Sequence, residues 1–133
     1  MKRNKLQTKG QLSPMTPEER QFIPLVLQVL SKSSRLNPYK SNELVFLVNS
    51  LAENKGIKKQ IGSARLRKVI NYIRAKELAY VISGSLGYYL STDEEEIENM
   101  VVSLETRAAS INSAAYGLRQ LLNQLRFERS LRP

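Results

Sequence analysis

Apolar residues recur at the spacing of a helix face in three segments of the first 78 residues. In the first segment, Thr16 can cap a helix and Glu19 can close a capping box. This helix is expected to end near Ser33. Pro24 lies inside it, so either the helix kinks there or the main helix begins at Pro24. The apolar positions of this segment are Phe22, Ile23, Val26, Leu27 and Leu30.

The second predicted helix begins with Ser41 as its expected cap. It ends at Gly56, because glycine takes the left-handed conformation past a helix end at little cost. We expect Phe46 to lie in the core. The helix presents the apolar residues Leu44, Leu47, Val48 and Leu51.

The third predicted helix opens at Gly62-Ser63 and has a clear division of faces. One face is apolar, with Leu66, Val69, Ile70 and Ile73. The opposite face carries Ala64, Arg67, Lys68 and Asn71, and the flanks carry Arg65, Tyr72 and Arg74.

Two β-prone segments, 79–83 and 87–91, follow the third helix and are separated by Gly84-Ser85-Leu86. Tyrosine and β-branched residues on both sides of a glycine-containing loop predict a hairpin. We expect one of Tyr88 and Tyr89 to pack inward and the other outward. Three helices followed by a hairpin predict a mainly α fold with a small β-hairpin, arranged as a winged helix-turn-helix.

A long helix is predicted over 92–130, with Thr92 as its cap and four acidic residues in its first turns. Its apolar residues alternate in steps of four and three, which is typical of a coiled coil. We expect self-association into a homodimer through this helix, the alternative being that the stripe packs on its own domain. The proposed dimerisation residues are Leu104, Ala108, Ile111, Ala115, Leu118, Leu122 and Leu125.

These elements divide the chain into a flexible basic arm at 1–15, a folded domain at 16–91 and the long helix at 92–130. Cysteine and histidine are absent, so we expect no disulfide, no metal site and no cofactor. No apolar run reaches the roughly 18 residues of a membrane span, and the N-terminus lacks the apolar stretch of a signal peptide. We therefore expect a cytoplasmic protein without a membrane partner.

The net charge of +9 is unevenly distributed along the chain. Residues 54–76 contain eight Lys or Arg and no acid, whereas residues 92–106 contain six acids and no base. Such segregation favours a polyanionic partner, and double-stranded DNA is the expected one.

The third helix would lie in the major groove of DNA, with its apolar back against the second helix. Arg67 and Lys68 can donate to phosphates and base edges, and Asn71 has the paired donor and acceptor that suit adenine. Ser63 can hold a phosphate at the helix start. The wing loop carries no charge, so we expect a weak contribution from it. The full set of expected DNA contacts is Lys55, Lys58, Lys59, Ser63, Arg65, Arg67, Lys68, Asn71, Tyr72, Arg74, Ser83 and Ser85. Arg119, Arg126, Arg129 and Arg132 are expected on the solvated face and frayed end of the last helix.

Three motifs resemble those of small winged-helix proteins encoded by tailed bacteriophages and prophages. They are an LRKxINxIR helix at 66–74, an I-S-x-S-x-G-Y-Y-L wing at 82–90 and an SLExRxxxI helix at 103–111. The resemblance covers about residues 40–122 and does not extend to the N-terminal third. It implies a DNA-binding winged helix that acts in phage replication or transcription regulation in the bacterial cytoplasm.

Catalysis is the least supported function. The chain has no histidine or cysteine and no glycine-rich phosphate loop, so general acid–base work near neutral pH would need strongly shifted carboxylates or lysines. The serious alternative to DNA binding is an interaction module that binds partner proteins in a replication or virion assembly complex.

Overall fold

A computed structural model of the chain describes residues 12–132. It is mainly helical, with one two-stranded antiparallel hairpin, and divides into two compact units at residues 1–97 and 98–133. Most of the arm expected at 1–15 lies outside the described residues. Met15, at the end of that range, is buried in the core cluster. The elements in chain order are α1 (Pro17–Arg20), α2 (Phe22–Leu30), α3 (Ser41–Asn54), α4 (Ser63–Ala75), β1 (Val81–Gly84), β2 (Gly87–Leu90) and α5 (Glu94–Ser130).

The first helical segment is divided at Gln21 into α1 and α2. The predicted capping box is confirmed: the Glu19 amide donates to Thr16 Oγ1, and the Thr16 amide donates to Glu19 Oε1 at 2.9 Å. Pro24 has no N–H group, so it cannot continue an α-helical ladder from Arg20. It is instead accommodated in the first turn of α2, where no intrahelical bond is required.

Helix α3 begins at Ser41, which is the residue that the sequence predicted as its cap. Lys40 is the capping residue and Ser41 is already helical, so the prediction of Ser41 as the cap is wrong. The Lys40 amide donates to Glu43 Oε1 at 3.1 Å. The predicted stop is confirmed: Gly56 has a φ of +77°, and the Ile57 amide donates to the Ala52 carbonyl as in a Schellman motif.

Helix α4 ends in the same motif without a glycine. The amide of Leu78 donates to the Ile73 carbonyl, and the amide of Glu77 donates to the Arg74 carbonyl. Glu77 occupies the left-handed position, with a φ of +60°. A side chain at this position strains the backbone.

The hairpin is confirmed, with Ser85-Leu86 as a two-residue loop and Ile82 opposite Tyr89. Tyr39, from the connection between α2 and α3, pairs with Tyr88 through two backbone hydrogen bonds of 2.8 Å. Gly87 lies against this bridge. A Cβ atom there would be 2.3 Å from the Tyr39 carbonyl oxygen.

The core of the first unit is formed by side chains from α2, α3, α4 and β1, together with Met15 and Ile61. The prediction that Phe46 belongs to it is wrong, since this side chain is 69% exposed. On α3 the inward positions are taken by Leu44, Val48 and Ala52, and Phe46 lies outside that stripe. The largest fully buried side chains are Phe22, Leu25, Leu30, Leu44, Leu66, Ile70, Ile73, Val26, Val48 and Val69.

The long helix is confirmed as α5, which has 37 residues. Its cap is Asp93 and not Thr92, because the Glu96 amide donates to Asp93 Oδ1 at 3.0 Å. The Glu96 carboxylate accepts hydrogen bonds from the hydroxyls of Tyr89 and Ser91. Partial burial of Tyr89 and its bond to this carboxylate raise the pKa of Tyr89. In the part of the chain that is described, no helix is long and apolar enough to cross a bilayer.

Candidate nucleic-acid interface

Helix α4 has a buried face and an exposed face, as its sequence predicts. Leu66, Val69, Ile70 and Ile73 are buried against the core. The middle of the exposed face carries Ala64, Asn71 and Ala75, with Arg67 beside them. Small side chains at the centre of an exposed helix face let another surface approach the helix closely.

The connection between α3 and α4 is held by one side chain that the sequence analysis did not single out. Asn49 Nδ2 donates to the Ile61 carbonyl at 3.0 Å, and Asn49 Oδ1 accepts from the Ile61 amide at 2.9 Å. Ile61 is buried, so these bonds fix the end of the loop that precedes α4. A polar residue inside an apolar helix pattern is the sequence signal that could have drawn attention to it.

This loop, residues 55–62, exposes the three predicted lysines Lys55, Lys58 and Lys59. None of them forms a salt bridge within residues 12–132. The structure therefore places three exposed cations in the loop that precedes α4.

The first turn of α4 has no side-chain cap. Gly62 is the capping residue, and the first helical bond runs from the Leu66 amide to the Gly62 carbonyl. The amides of the first three helical residues consequently have no partner inside the helix. The Ser63 hydroxyl and the Arg65 side chain, both predicted site groups, are exposed at this end.

The ammonium of Lys68, another predicted DNA contact, is already paired within the protein. Its Nζ lies 2.9 Å from Glu19 Oε1 and 3.2 Å from Glu19 Oε2. Hydrogen bonds from the Thr16 amide and from Lys68 lower the pKa of the buried Glu19 to about 2. Lys68 thus joins α4 to α1.

A second acid of α1 faces the same surface. The pKa of Glu18 is lowered, first by a backbone hydrogen bond and then by the charge of Lys59, with a smaller contribution from Arg65. Glu18 and Glu19 thus lie on the α1 side of the loop and of α4. The capping-box pattern of Thr16 and Glu19 is visible in the sequence, but the position of the two acids against α4 is not.

The guanidinium of Arg74 also forms hydrogen bonds within the protein. Its Nε donates to the Val81 carbonyl at 2.9 Å, and its Nη2 donates to Ser83 Oγ at 3.1 Å. These bonds connect the end of α4 to β1. Arg74 and Ser83 therefore form one structural contact within the protein.

The remaining predicted residues lie apart from the loop. Tyr72 is half-buried, and Lys76 Nζ lies 5.9 Å from the centre of its ring. Ser85 is exposed in the hairpin loop beside Leu86. Seven predicted residues are exposed on the loop and on α4, and we call them the basic surface: Lys55, Lys58, Lys59, Ser63, Arg65, Arg67 and Asn71.

On α5, the predicted dimerisation residues run along the helix in the second unit. Leu104 and Leu122 are half-buried, and the other members are exposed, namely Ala108, Ile111, Ala115, Leu118 and Leu125. Within residues 12–132, no group of three or more acidic, histidine or cysteine side chains is arranged to hold a metal ion. Comparison with protein-family models, curated proteins and solved structures found no match to this chain.

Proposed function

We propose that this chain is a non-enzymatic protein that binds double-stranded DNA, with α4 as the recognition helix of a winged helix-turn-helix. The observation that carries the proposal is the basic surface itself. Five cations, from Lys55 to Arg67, are exposed on the loop and on α4, and none of them forms a salt bridge within the described residues. A surface of this charge attracts phosphate.

The order of the elements supports the winged arrangement. Helices α3 and α4 pack together through their apolar faces, and the hairpin follows α4 directly. The bridge of Tyr39 to Tyr88 adds a third strand position to the hairpin. The connection at 55–62 is longer than the usual three or four residues of a helix-turn-helix turn, and the extra length carries the lysines.

Each group of the basic surface suits a part of DNA. The lysines and the uncapped start of α4 favour phosphate oxygens. Arg67 suits the acceptors of guanine, and Asn71 suits adenine in the major groove. Ala64 and Ala75 leave room for a close approach of the helix.

Contacts with the phosphate backbone of DNA would dominate the affinity. Five phosphate contacts correspond to a loss of roughly 500-fold in affinity between 50 and 200 mM salt. A single base contact adds only about 1–3 kcal/mol of discrimination. Because Lys68 is paired with Glu19, the number of available cations is smaller than the sequence indicates.

Fluorescence anisotropy with a random duplex tests the proposal. We expect binding at low salt that weakens steeply as salt is added. The variants Arg67→Ala and Lys58→Ala/Lys59→Ala should weaken binding, and the double variant should reduce the salt slope by about 2. Lys32→Ala, which removes an exposed cation after α2, is the matched control and should leave binding unchanged. Absence of binding at low salt, or equal effects of all three variants, would refute DNA binding by this surface.

One observation favours the alternative of a protein-interaction module. Phe46 is exposed and lines a shallow pocket on α3 together with Asn42, Glu43 and Leu47. Exposed aromatic residues are frequent anchors in protein interfaces. Phe46→Ala should leave DNA affinity unchanged if the basic surface is the functional site. If the chain binds no DNA, and Phe46→Ala abolishes binding of a protein partner, the chain is instead an interaction module.

For the biological setting we propose phage replication or transcription regulation in the cytoplasm of a bacterial host. The support is the set of three motifs at 66–74, 82–90 and 103–111. Selection of bound sequences from a random duplex pool tests whether the chain recognises a defined site. A regulator should return a defined site, whereas a protein that binds mainly the backbone should return no consensus.

A further inference from the structure

Within the second unit, α5 presents an apolar stripe whose members alternate in steps of four and three from Val101 to Leu125. Two large side chains in the middle of the stripe are strongly exposed: Ile111 is 68% and Leu118 is 67% accessible. The stripe covers 25 residues, which is about 36 Å of helix at 1.5 Å per residue. A heptad stripe of this length matches the seam of a two-stranded coiled coil.

The charges of α5 are segregated along its length. Acids are concentrated towards its start, at Glu94, Glu95, Glu96, Glu98 and Glu105. Arginines predominate towards its end, at Arg119, Arg126 and Arg129. Two parallel copies would place acids beside acids and arginines beside arginines. Two antiparallel copies would place the acidic half of each helix beside the basic half of the other.

We propose that α5 pairs antiparallel with α5 of a second copy of this chain, in the register that sets Val101 against Leu125. In this register every alanine of the seam meets a larger residue: Ala108 faces Leu118 of the second copy, and Ala115 faces Ile111. A parallel, in-register pair would instead stack Ala108 on Ala108 and Ala115 on Ala115. Such layers are underpacked beside their leucine and isoleucine neighbours.

The residues that flank the seam support the same register independently. Glu98 lies beside Arg126 of the second copy, and Glu105 lies beside Arg119. Asn112 lies beside its own counterpart at the two-fold axis. Each ion pair occurs twice because of the symmetry. Flanking charges of this kind decide the orientation of coiled-coil helices.

The parallel arrangement offers no comparable pairs. In a parallel pair, three residues that flank the seam would each lie beside a residue of the second copy. Arg107 would lie beside Asn112, Ala114 beside Arg119, and Leu121 beside Arg126. None of these is an attraction between opposite charges. The antiparallel pairing follows from α5 and does not depend on DNA binding by the basic surface.

Sedimentation equilibrium of the full chain tests the pairing by charge reversal. We expect a dimer at roughly 100 µM chain. Glu105→Arg and Arg119→Glu should each weaken it by roughly tenfold, because two attractions become two repulsions. The double variant Glu105→Arg/Arg119→Glu should restore the dimer to within about threefold of the original affinity. Thr106→Arg and Gln120→Glu, on the outer face of the same turns, are matched controls without effect. A monomer at this concentration, or a double variant as weak as the single ones, overturns the proposal.

Disulfide trapping tests the orientation separately, because the natural chain has no cysteine. An Ala108→Cys chain is mixed with an affinity-tagged Leu118→Cys chain under oxidising conditions. The antiparallel register predicts a disulfide between a tagged and an untagged chain, since only this pairing brings the two Cβ atoms within reach. Disulfides between like chains alone would establish a parallel pair and overturn the proposal. Circular dichroism confirms that each variant retains its helical content.

Discussion

The ammonium of Lys68 lies 2.9 Å from Oε1 of Glu19, and this pair joins α4 to the short helix α1. Glu19 also accepts the Thr16 amide, so one buried carboxylate both closes a helix cap and holds the proposed recognition helix. Because these donors favour the charged form, the pKa of Glu19 falls to about 2. Lys68 accordingly stabilises the contact between α4 and α1, although its position on α4 had predicted a DNA contact.

The Glu19–Lys68 pair makes stability dependent on acid pH. The folded pKa of about 2 lies below the ordinary value of 4.5, so the stabilisation is complete above 4.5 and is lost as the pH falls towards 2. Glu19→Gln should lower the melting temperature at neutral pH and flatten its decline over this acid range. Thermal melts at several pH values measure both effects. Glu53→Gln, which changes an exposed carboxylate on α3, should retain the decline of the original chain. An unchanged acid profile in Glu19→Gln would contradict the assignment.

The end of α4 offers a substitution that should stabilise the protein. Glu77 has a φ of +60°, and glycine adopts this conformation without the strain of a side chain. Removing the side chain relieves the strain in the folded state, whereas glycine gives the unfolded chain more conformational entropy and so opposes the gain. The net effect of Glu77→Gly should be a rise of about 0.5–1 kcal/mol in the free energy of unfolding. Gly56→Ala is the reciprocal test, since Gly56 has a φ of +77° and open space around it. It should lower the free energy by about 1–2 kcal/mol. Chemical denaturation measures both, and a loss of stability in Glu77→Gly would contradict the strain argument.

Gly87 should tolerate no side chain, because its Cα faces the backbone of Tyr39. A Cβ atom would lie 2.3 Å from the Tyr39 carbonyl oxygen, which requires the bridge to Tyr88 to move. Gly87→Ala should lower the free energy of unfolding by about 2–3 kcal/mol. Gly84→Ala, at the other end of the same loop, meets no atom within 4 Å and should cost less than about 0.5 kcal/mol. Similar losses in the two variants would show that the close approach of Gly87 to Tyr39 does not limit the stability of the fold.

Asn49 should affect DNA binding without contributing any charge. Asn49→Ala removes both hydrogen bonds to Ile61, which should cost about 1–3 kcal/mol of stability. The loop that carries Lys58 and Lys59 would lose its anchor, so affinity for duplex DNA should fall while the salt slope is retained. Denaturation and anisotropy measure the two effects. Asn54→Ala, exposed at the end of the same helix, should change neither. A normal affinity in a destabilised Asn49→Ala chain would show that the loop needs no anchor.

Local patterns along the chain were sufficient to predict most elements. The spacing of apolar residues predicted α3, α4 and α5, and glycine at 56 predicted the end of α3. These features depend on neighbours within one or two helical turns, which a sequence displays directly. Cap positions were less certain, as Lys40 and Asp93 show, because adjacent polar residues compete for the same amides.

The helical faces, the hairpin and the segregation of charge all follow from local periodicity and composition, so they can be predicted from the order of residues alone. Which charged groups remain available depends on contacts that form only when the chain folds. Lys68 pairs with Glu19 across 49 positions of the chain, and Arg74 is bound to β1. Phe46 was left exposed because neighbouring positions on α3 already fill the core. Which of the predicted DNA contacts belong to the basic surface therefore depends on contacts between residues that are distant in the chain.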